Sequence, residues 1–216
     1  MKKMAKTARG PLAGSLALCL ALGLAGCTGA PAGSADDGAP KEEGQGSTAL
    51  EDLDMGYSDR DKDPGYDGAS ATRIALAGSS ASVDGTGAQA AGDTVTIADA
   101  GTYVVSGTLD DGWLVVDAAD DAKVQVVLDG AAITNADGPA FYVKDADKCF
   151  LTLAEGSQNR LADGASHTQD EDGDDLNATL LSNDDLTING TGALAVQGAY
   201  HHGVKSKDDL VVTGGT

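Results

Sequence analysis

Aspartates recur at matching places in the second half of the chain. Asp184-Asp185 and Asp208-Asp209 each precede a short apolar run, and Asp147 holds the equivalent place in an earlier run. Equivalent residues on neighbouring strands lie about 4.8 Å apart, and like charges at that spacing are destabilising. Either the carboxylates accept backbone N–H bonds as Asx turns, or they share divalent ions.

The overall charge favours the second explanation. The chain carries a formal net charge of −20, and Lys148 is the one cation aligned with Asp185 and Asp209. Calcium accepts irregular carboxylate and carbonyl ligation, so we expect calcium at Asp147, Asp184, Asp185, Asp208 and Asp209. A surface this acidic does not attract nucleic acid or anionic lipid.

Other acidic runs do not fit a known calcium loop. Two runs have the alternation with which an EF-hand loop begins: Asp59, Asp61 and Asp63, and Asp170, Asp172 and Asp174. Both lack the glycine at position six and the glutamate at position twelve that this loop requires. They are therefore interpreted as solvated acidic loops or as calcium sites of another kind.

Two aromatic residues could bind a sugar ring. Strands that send Leu114 and Phe141 inward send Trp113, Val115 and Tyr142 outward, because side chains alternate between the faces of a strand. A flat aromatic surface suits packing against pyranose rings. Trp113 and Tyr142 are therefore candidate carbohydrate-binding residues; the alternative is that they only cover an apolar face.

Catalytic patterns are weak. The chain has no nucleophile elbow, no Cys/His arrangement and no phosphate-binding loop. Lys205 and Lys207 could serve as the base in a calcium-assisted β-elimination, but neighbouring aspartates stabilise a charged lysine, which favours ion pairing. Adjacent strand residues point to opposite faces, so His201-His202 is expected at a surface or turn rather than on a metal.

A repeated unit must position these residues. Residues 113–130 return as 140–156, each as a short strand, an acidic turn and a second short strand, and later echoes are 179–190 and 203–214, with Leu186 aligned on Leu210. Period-2 strands with Gly, Asp and Asn turns and no helical stretch predict a stacked β-solenoid. The alignment pairs Leu114, Val116, Val124, Val126 and Leu128 with Phe141, Val143, Cys149, Leu151 and Leu153, in that order.

The N-terminus indicates export. Residues 1–26 are a basic start followed by a short apolar stretch, typical of a secretory signal peptide. The stretch ends in Leu24-Ala25-Gly26-Cys27, which is similar to a lipoprotein lipobox, so Cys27 is expected to be lipidated. Residues 27–49 are predicted to be a flexible tether and residues 50–216 the domain. Cys149 then has no disulfide partner and is expected in the core.

Three segments lie outside the repeat pattern. Residues 52–67 are acidic and are expected to cap the first coil. Residues 163–175 are predicted to leave the stack as a loop in which nothing is buried. The chain stops directly after a strand at residues 210–216, which predicts that the repeats continue beyond it.

Four stretches resemble a known family. They are Tyr57-Ser-Asp-Arg-Asp61 with Tyr66-Asp67, Ala100-Gly-Thr-Tyr-Val-Val-Ser-Gly-Thr108, Val124-Gln-Val-Val-Leu-Asp-Gly-Ala131, and the pair Asn183-Asp-Asp-Leu186 and Lys207-Asp-Asp-Leu-Val-Val-Thr-Gly-Gly215. In unbroken order they resemble the carbohydrate-binding β-helix family of a cellulolytic clostridium. The resemblance implies a single-stranded right-handed parallel β-helix, calcium held by aspartates, and binding of cellulose or polygalacturonate, with a shape similar to calcium-dependent pectate lyases. This chain departs from the family at Cys149, in the acidic insertion 163–175 and in the absence of the C-terminal coils.

Three functions are considered. The favoured one is a calcium-stabilised, non-catalytic binder of plant cell-wall polysaccharide, lipid-anchored on the extracellular face of a bacterial membrane. The alternatives are a calcium-dependent pectate-type lyase and a structural or adhesive surface protein. The sequence predicts no nucleic-acid partner.

Overall fold

The protein is built almost wholly from short strands. The structure is a computed structural model that describes residues 56–169, 173 and 175–216. This part of the chain contains one short helix, α1 (Asp59–Lys62), and the strands β1 (Thr72–Gly78), β2 (Ala81–Asp84), β3 (Ala88–Ala91), β4 (Thr94–Ile97), β5 (Gly101–Leu109), β6 (Trp113–Asp117), β7 (Lys123–Asn135), β8 (Phe141–Asp145), β9 (Lys148–Leu153), β10 (Gln158–Asp163), β11 (Ala178–Ser182), β12 (Asp185–Gly190), β13 (Ala193–Gln197), β14 (His202–Ser206) and β15 (Leu210–Val212). The leader, Cys27 and the tether lie outside the described residues.

The strands form two sheets. The first sheet has the order β15-β12-β9-β7-β5-β1-β2, and the end of β7 also pairs with β10, which pairs with β13. The second sheet has the order β14-β11-β8-β6-β4-β3. Pairs are parallel within both sheets except at one end of each, where β1–β2 and β3–β4 are antiparallel.

One apolar core is shared by the two sheets. It contains Val105, Val126 and Leu151 from the first sheet and Leu114 and Phe141 from the second, none of them measurably exposed. Burying such a side chain fully contributes about 1.5–3 kcal/mol. The alternation of buried and exposed residues along β1, for example, follows from this single buried face.

The repeat alignment correctly predicted which residues are neighbours. Leu114 pairs with Phe141 and Val116 with Val143. Val124, Val126 and Leu128 pair with Cys149, Leu151 and Leu153, and Leu186 pairs with Leu210. The prediction that Cys149 is a core residue is also confirmed, and burial raises the pKa of its thiol to about 12.

The predicted fold class, a single-stranded right-handed parallel β-helix, is wrong. The strands form two open sheets that mix parallel and antiparallel pairs, and neither sheet closes on itself. With one core between them, the two sheets resemble a sandwich or jelly-roll arrangement more than a β-helix. The error has a physical reason: an alternating pattern identifies a strand and its buried face, but not the direction of the neighbouring strand.

The expectation that residues 52–67 cap the first coil is also wrong for the part that the structure describes. Residues 57–66, here called the strap, lie across the outer face of the first sheet. Within the strap, Ser58 caps α1: its side chain accepts from the Asp61 N–H at 3.2 Å, and the Asp61 carboxylate accepts from the Ser58 N–H at 2.8 Å. This reciprocal capping box fixes the direction in which Asp61 points.

The strap is fastened through Asp61, which is 1% exposed. Its carboxylate accepts a hydrogen bond from Thr187 Oγ1 at 2.5 Å and pairs with Lys148 Nζ at 2.9 Å. Its carbonyl oxygen accepts from Asn189 Nδ2 at 3.2 Å and from Thr213 Oγ1 at 2.6 Å. Asp59, Asp61 and Asp63 therefore do not begin a calcium loop; Asp61 instead joins the strap to β9, to β12 and to Thr213, the residue that follows β15.

The described part of the insertion, residues 164–169, 173 and 175, contains neither helix nor strand, but the expectation that nothing in the insertion is buried is wrong. The side chains of Asp163 and His167 are 0% and 1% exposed, and Asp163 Oδ2 lies 3.0 Å from His167 Nε2. Asp163 Oδ1 accepts from the Ala199 N–H at 2.5 Å, and His167 Nδ1 contacts the carbonyl oxygen of Leu176. These contacts hold both ends of the loop against the domain.

No helix among the described residues is long and apolar enough to cross a membrane.

Candidate functional site

The outer face of the second sheet carries an open groove of about 480 Å³. Its floor comes from three adjacent parallel strands, β4, β6 and β8, whose outward side chains stand beside one another in register. Two residues of the loop after β10 form one side. The lining residues are Thr94, Thr96, Trp113, Val115, Asp117, Tyr142, Lys144, Thr168 and Gln169.

Trp113 is the aromatic residue that the groove presents to solvent. It is half-buried, and its indole Nε1–H donates to Thr94 Oγ1 at 3.0 Å. The preceding residue is Gly112, where a Cβ would lie 2.2 Å from the carbonyl oxygen of Asp93. Glycine at this position allows the backbones to approach closely enough for the Trp113 N–H to donate to that same oxygen at 3.2 Å.

Tyr142, on the adjacent strand β8, packs against Trp113. The two rings stack with their centroids 6.3 Å apart and their planes 15° apart. The expectation that Tyr142 itself presents an exposed face is wrong, because its side chain is only 1% exposed. Tyr142 therefore fixes the orientation of the Trp113 ring instead of offering a second open ring.

A second, smaller apolar cluster buries Tyr142. It consists of Val115, Tyr142, Leu176, Ala178 and Leu181, and Trp113 packs against it. Asn183 Nδ2 donates to the Tyr142 hydroxyl at 3.0 Å. Sequence reasoning missed Leu176 and Asn183; the lone leucine at the end of an otherwise polar insertion was the available signal.

Three further carboxylates line a cavity of about 220 Å³ that also touches Trp113. Asp93, Asp111 and Asp137 stand on the turns that lead into β4, β6 and β8. Asp111 Oδ1 accepts from the Ala136 N–H at 2.9 Å, and Asp93 Oδ1 accepts from Thr94 Oγ1 at 3.2 Å. Sequence reasoning did not select these residues, although an Asp-Gly pair occurs at both Asp111-Gly112 and Asp137-Gly138.

Three of the five aspartates predicted to bind calcium, Asp147, Asp184 and Asp185, have protein partners for their carboxylates. Asp147 forms an ion pair with Lys123, and Asp184 Oδ2 accepts from the Ala146 N–H at 3.1 Å. Asp185 Oδ1 accepts from the Asp209 N–H at 3.3 Å, and Lys148 is the register partner of Asp185 on β9. The N–H groups that bond to Asp184 and Asp185 belong to residues 38 and 24 positions away, so these contacts join neighbouring strands and are not Asx turns.

Negative charge is nevertheless concentrated around Asp184. Burial raises the pKa of its carboxyl above the ordinary value, the Ala146 N–H opposes that rise, and nearby carboxylates add to it, namely Asp145, Asp208 and Asp120. Among the residues that the structure describes, no three His, Cys, Asp or Glu side chains are grouped closely enough to hold a metal ion. The geometry therefore provides a negative field, without a formed set of ligands.

The remaining candidates lie away from the groove floor. His201 is exposed in a bend with φ 52°, and its ring packs against Tyr200 with centroids 4.2 Å apart and planes tilted by 51°, in keeping with the expected turn role. Lys205 Nζ donates to Asn177 Oδ1 at 2.8 Å, which is a positioning contact and not that of a free base.

Known proteins resemble the part of the chain that contains the groove. Residues 91–216 match the family of carbohydrate-binding domain-containing proteins. A protein of Acetivibrio thermocellus with that same description is 38% identical over 122 residues, which are 56% of this chain and 43% of the relative. A solved structure described as a polysaccharide lyase-like protein from C. thermocellum, a gadolinium derivative, has 33% identity and a TM-score of 0.65 over 68% of this chain and 60% of that one. The chain thus spans less than two thirds of the length of either relative.

Proposed function

Because this chain belongs to the family of carbohydrate-binding domain-containing proteins, we propose that it binds polysaccharide in the groove beside Trp113. The observation that carries the proposal is the Trp113 ring, stacked on Tyr142 within 15° of parallel and standing at an open groove of about 480 Å³. A fixed aromatic face of this kind suits the C–H face of a pyranose ring.

The groove also supplies polar groups for sugar hydroxyls. Thr94, Thr96, Asp117 and Lys144 surround the aromatic face, and hydroxyl, carboxylate and ammonium groups together offer both donors and acceptors. A few placed polar groups around an apolar centre are typical of small-molecule sites. These features are those of a binding site, and the proposal is a non-catalytic binder.

Cellulose- and pectin-like plant polysaccharides are the proposed ligand class, on the basis of the family resemblance. Affinity electrophoresis of the domain through gels that contain hydroxyethyl cellulose, polygalacturonate or other soluble glycans tests this directly. We expect slower migration in at least one glycan gel, relative to a gel without glycan. Unchanged migration in every gel would refute polysaccharide binding and favour the structural or adhesive alternative.

A lyase is the second candidate, because the solved neighbour is described as polysaccharide lyase-like. A lyase acting on polygalacturonate with calcium creates an unsaturated product that absorbs ultraviolet light. We expect no increase in absorbance from this domain, since Lys205, a candidate base, donates its Nζ hydrogen to Asn177 Oδ1 at 2.8 Å. A steady increase that chelator abolishes would establish the lyase instead.

Calcium is proposed as a stabilising ion near Asp184. The raised pKa of Asp184 means that its charged form is disfavoured in the folded state, so the stability it contributes is present at low pH and lost as pH rises through that raised pKa. At neutral pH an ion that binds only the folded state would relieve the repulsion. We expect the melting temperature to rise in millimolar calcium relative to chelator.

The Asp184→Asn variant distinguishes calcium binding from hydrogen bonding to the backbone. Asparagine keeps an acceptor for the Ala146 N–H but removes the negative charge. We expect this variant to melt higher than the natural protein in chelator and to gain less from calcium. Asp110→Asn, an exposed aspartate on another turn, is the matched control. If the natural protein melted at the same temperature with calcium and with chelator, calcium would not stabilise the fold. The contacts of the aspartates with Ala146, Lys123 and Asp209 would then offset the repulsion between the carboxylates without an ion.

A lipid anchor at Cys27 on the extracellular face of a bacterial membrane is proposed from the lipobox pattern. Cys27→Ser is expected to release the full chain from the membrane fraction, and its retention there would contradict the anchor.

A further inference from the structure

A buried pair of titratable side chains, Asp163 and His167, lies next to the residues that form one side of the groove. These side chains are 0% and 1% exposed, and Asp163 Oδ2 lies 3.0 Å from His167 Nε2. Both atoms are buried, and neither bonds to any other group that the structure describes. Each atom therefore depends on the other for the compensation that a buried polar group needs.

Both ring nitrogens of His167 face acceptors. His167 Nδ1 contacts the carbonyl oxygen of Leu176, which can only accept, so Nδ1 carries a hydrogen. His167 Nε2 faces the Asp163 carboxylate, whose other oxygen accepts from the Ala199 N–H at 2.5 Å. A neutral imidazole has one N–H and serves only one of these acceptors, whereas the protonated ring serves both. The observed arrangement thus requires one proton more than a neutral histidine and an ionised aspartate carry together.

Two further titratable side chains stand close to this pair among the described residues. The Tyr200 ring packs against His167 with centroids 4.6 Å apart, and the exposed His201 ring packs against Tyr200. Aspartate ordinarily titrates near pH 4 and tyrosine near pH 10, at about one unit of spread, and histidine roughly between pH 5 and 8. A change of pH across that range therefore acts on this cluster through its histidines, of which His167 is the buried one.

The buried pair holds two segments that shape the groove. Thr168 and Gln169, which directly follow the histidine, form one side of the groove. Leu176, whose carbonyl oxygen contacts the histidine, belongs to the apolar cluster that buries Tyr142. The Tyr142 ring in turn stacks on Trp113. Both the side of the groove and the orientation of its aromatic ring therefore depend on the same pair.

We propose, resting on the proposed function of this groove, that Asp163 and His167 are positioning residues and that the proton they share regulates glycan binding. With this proton, both contacts of His167 hold and the groove is formed. Without it, one contact is lost and the segment that it held is released, so glycan affinity falls as the pH rises. Coupling between two sites of one protein is typically at least about fivefold, so we expect at least that loss between about pH 5.5 and about pH 8.

Isothermal titration of the protein with cellohexaose and with a galacturonate hexamer, at both pH values, tests this regulation. Glucose units carry no ionisable group and uronate carboxyls are ionised throughout this range, so a change in affinity belongs to the protein. Trp113 is the one tryptophan in the chain, so its fluorescence reports on the groove without any ligand. We expect the affinity for a bound hexamer to fall and the Trp113 emission to shift over the same range.

The Asp163→Asn variant distinguishes control by a proton from a merely structural role. Asparagine Nδ2 donates to a neutral His167 Nε2, and asparagine Oδ1 still accepts from the Ala199 N–H, so every contact survives without the extra proton. We expect this variant to bind with an affinity that does not change with pH. His167→Gln, which has no group that titrates in this range, is expected to bind weakly at both pH values. His202→Gln, an exposed residue of β14, is the control and should keep the natural pH dependence.

Three results would overturn the regulation while leaving glycan binding intact. They are a pH-independent affinity of the natural protein, a pH dependence that persists in Asp163→Asn or His167→Gln, and a pH dependence that His202→Gln removes. If no hexamer and no polymer bound at any pH, the proposed function itself would be wrong. The pH dependence of Trp113 fluorescence would then still decide whether the proton on the buried pair controls the shape of the groove.

Discussion

Replacing Trp113 by alanine is expected to lower the affinity for a retained glycan at least tenfold, which corresponds to about 1.4 kcal/mol. The loss follows from removing the aromatic face that the groove presents, since the Tyr142 ring that stacks on Trp113 is 1% exposed. Affinity electrophoresis or titration with the same glycan measures the change. Trp113→Phe keeps a smaller aromatic face, so its glycan affinity is expected to lie between those of the natural protein and of Trp113→Ala.

A matched control is available elsewhere on the surface. Tyr66 is 39% exposed and lies in the strap, on the outer face of the other sheet. Tyr66→Ala is expected to leave glycan affinity unchanged, and the melting temperature of both variants shows whether either has lost its fold. If Tyr66→Ala weakened binding as much as Trp113→Ala, the glycan would have to bind on the first sheet.

The Asp61→Ala variant is expected to lose about 3 kcal/mol of unfolding free energy, the low end for removing one partner of a buried ion pair. The side chains of Asp61 and Lys148 are 2% and 16% exposed, so the substitution leaves a largely buried ammonium group without its carboxylate. Thr187 and Ser58 lose their acceptor at the same time. Chemical denaturation measures the loss, and Asp59→Ala, on the same helix but exposed, should cost much less.

The same residue makes stability depend on pH. Burial opposes ionisation of Asp61, but hydrogen bonds from Thr187, Lys148 and Ser58 outweigh it and hold the pKa well below its ordinary value of 3.8. Because the pKa of Asp61 is lower in the folded state than in the unfolded state, its ionised carboxylate stabilises the fold. This stabilisation is complete at pH values above the ordinary pKa and is lost as the pH falls through the folded-state pKa. The natural protein should therefore lose stability in acid more steeply than Asp61→Ala. Parallel acid titrations of the two proteins would contradict this account.

Much of the pairing within the sheets could be predicted from the sequence. The alignment of Val124 with Cys149 and of Leu186 with Leu210 is correct because each side chain is one layer of the same core, and apolar periodicity records burial. The division into two mixed sheets could not be predicted in this way. The antiparallel pairs β1–β2 and β3–β4 occur where short turns join adjacent strands, and their apolar pattern is the same as that of a parallel pair.

The candidate site was predicted in part, for a similar reason. Trp113 was identified because strand alternation places it outward, and that rule holds. Tyr142 obeys the same alternation but is covered by Leu176, which reaches it from a loop that starts at the buried Asp163–His167 pair. Burial of one side chain by a residue far away in the sequence leaves no periodic pattern in the sequence. The carboxylates Asp111 and Asp137 were missed because each stands on a turn, where neither strand period nor motif spacing applies.

The strap also sets the order of events when the chain folds. Its fastening residue, Asp61, bonds to Thr187 and Thr213, partners separated from it by 126 and 152 positions along the chain. During synthesis the strap leaves the ribosome long before these partners exist, and domains acquire structure as the chain emerges. Contacts so distant in sequence carry a large loop-closure cost, which places strap docking after the strands that receive it have assembled. The strap, which is synthesised before the strands that receive it, is thus expected to dock last, and its hydrogen bonds are expected to act mainly by slowing unfolding.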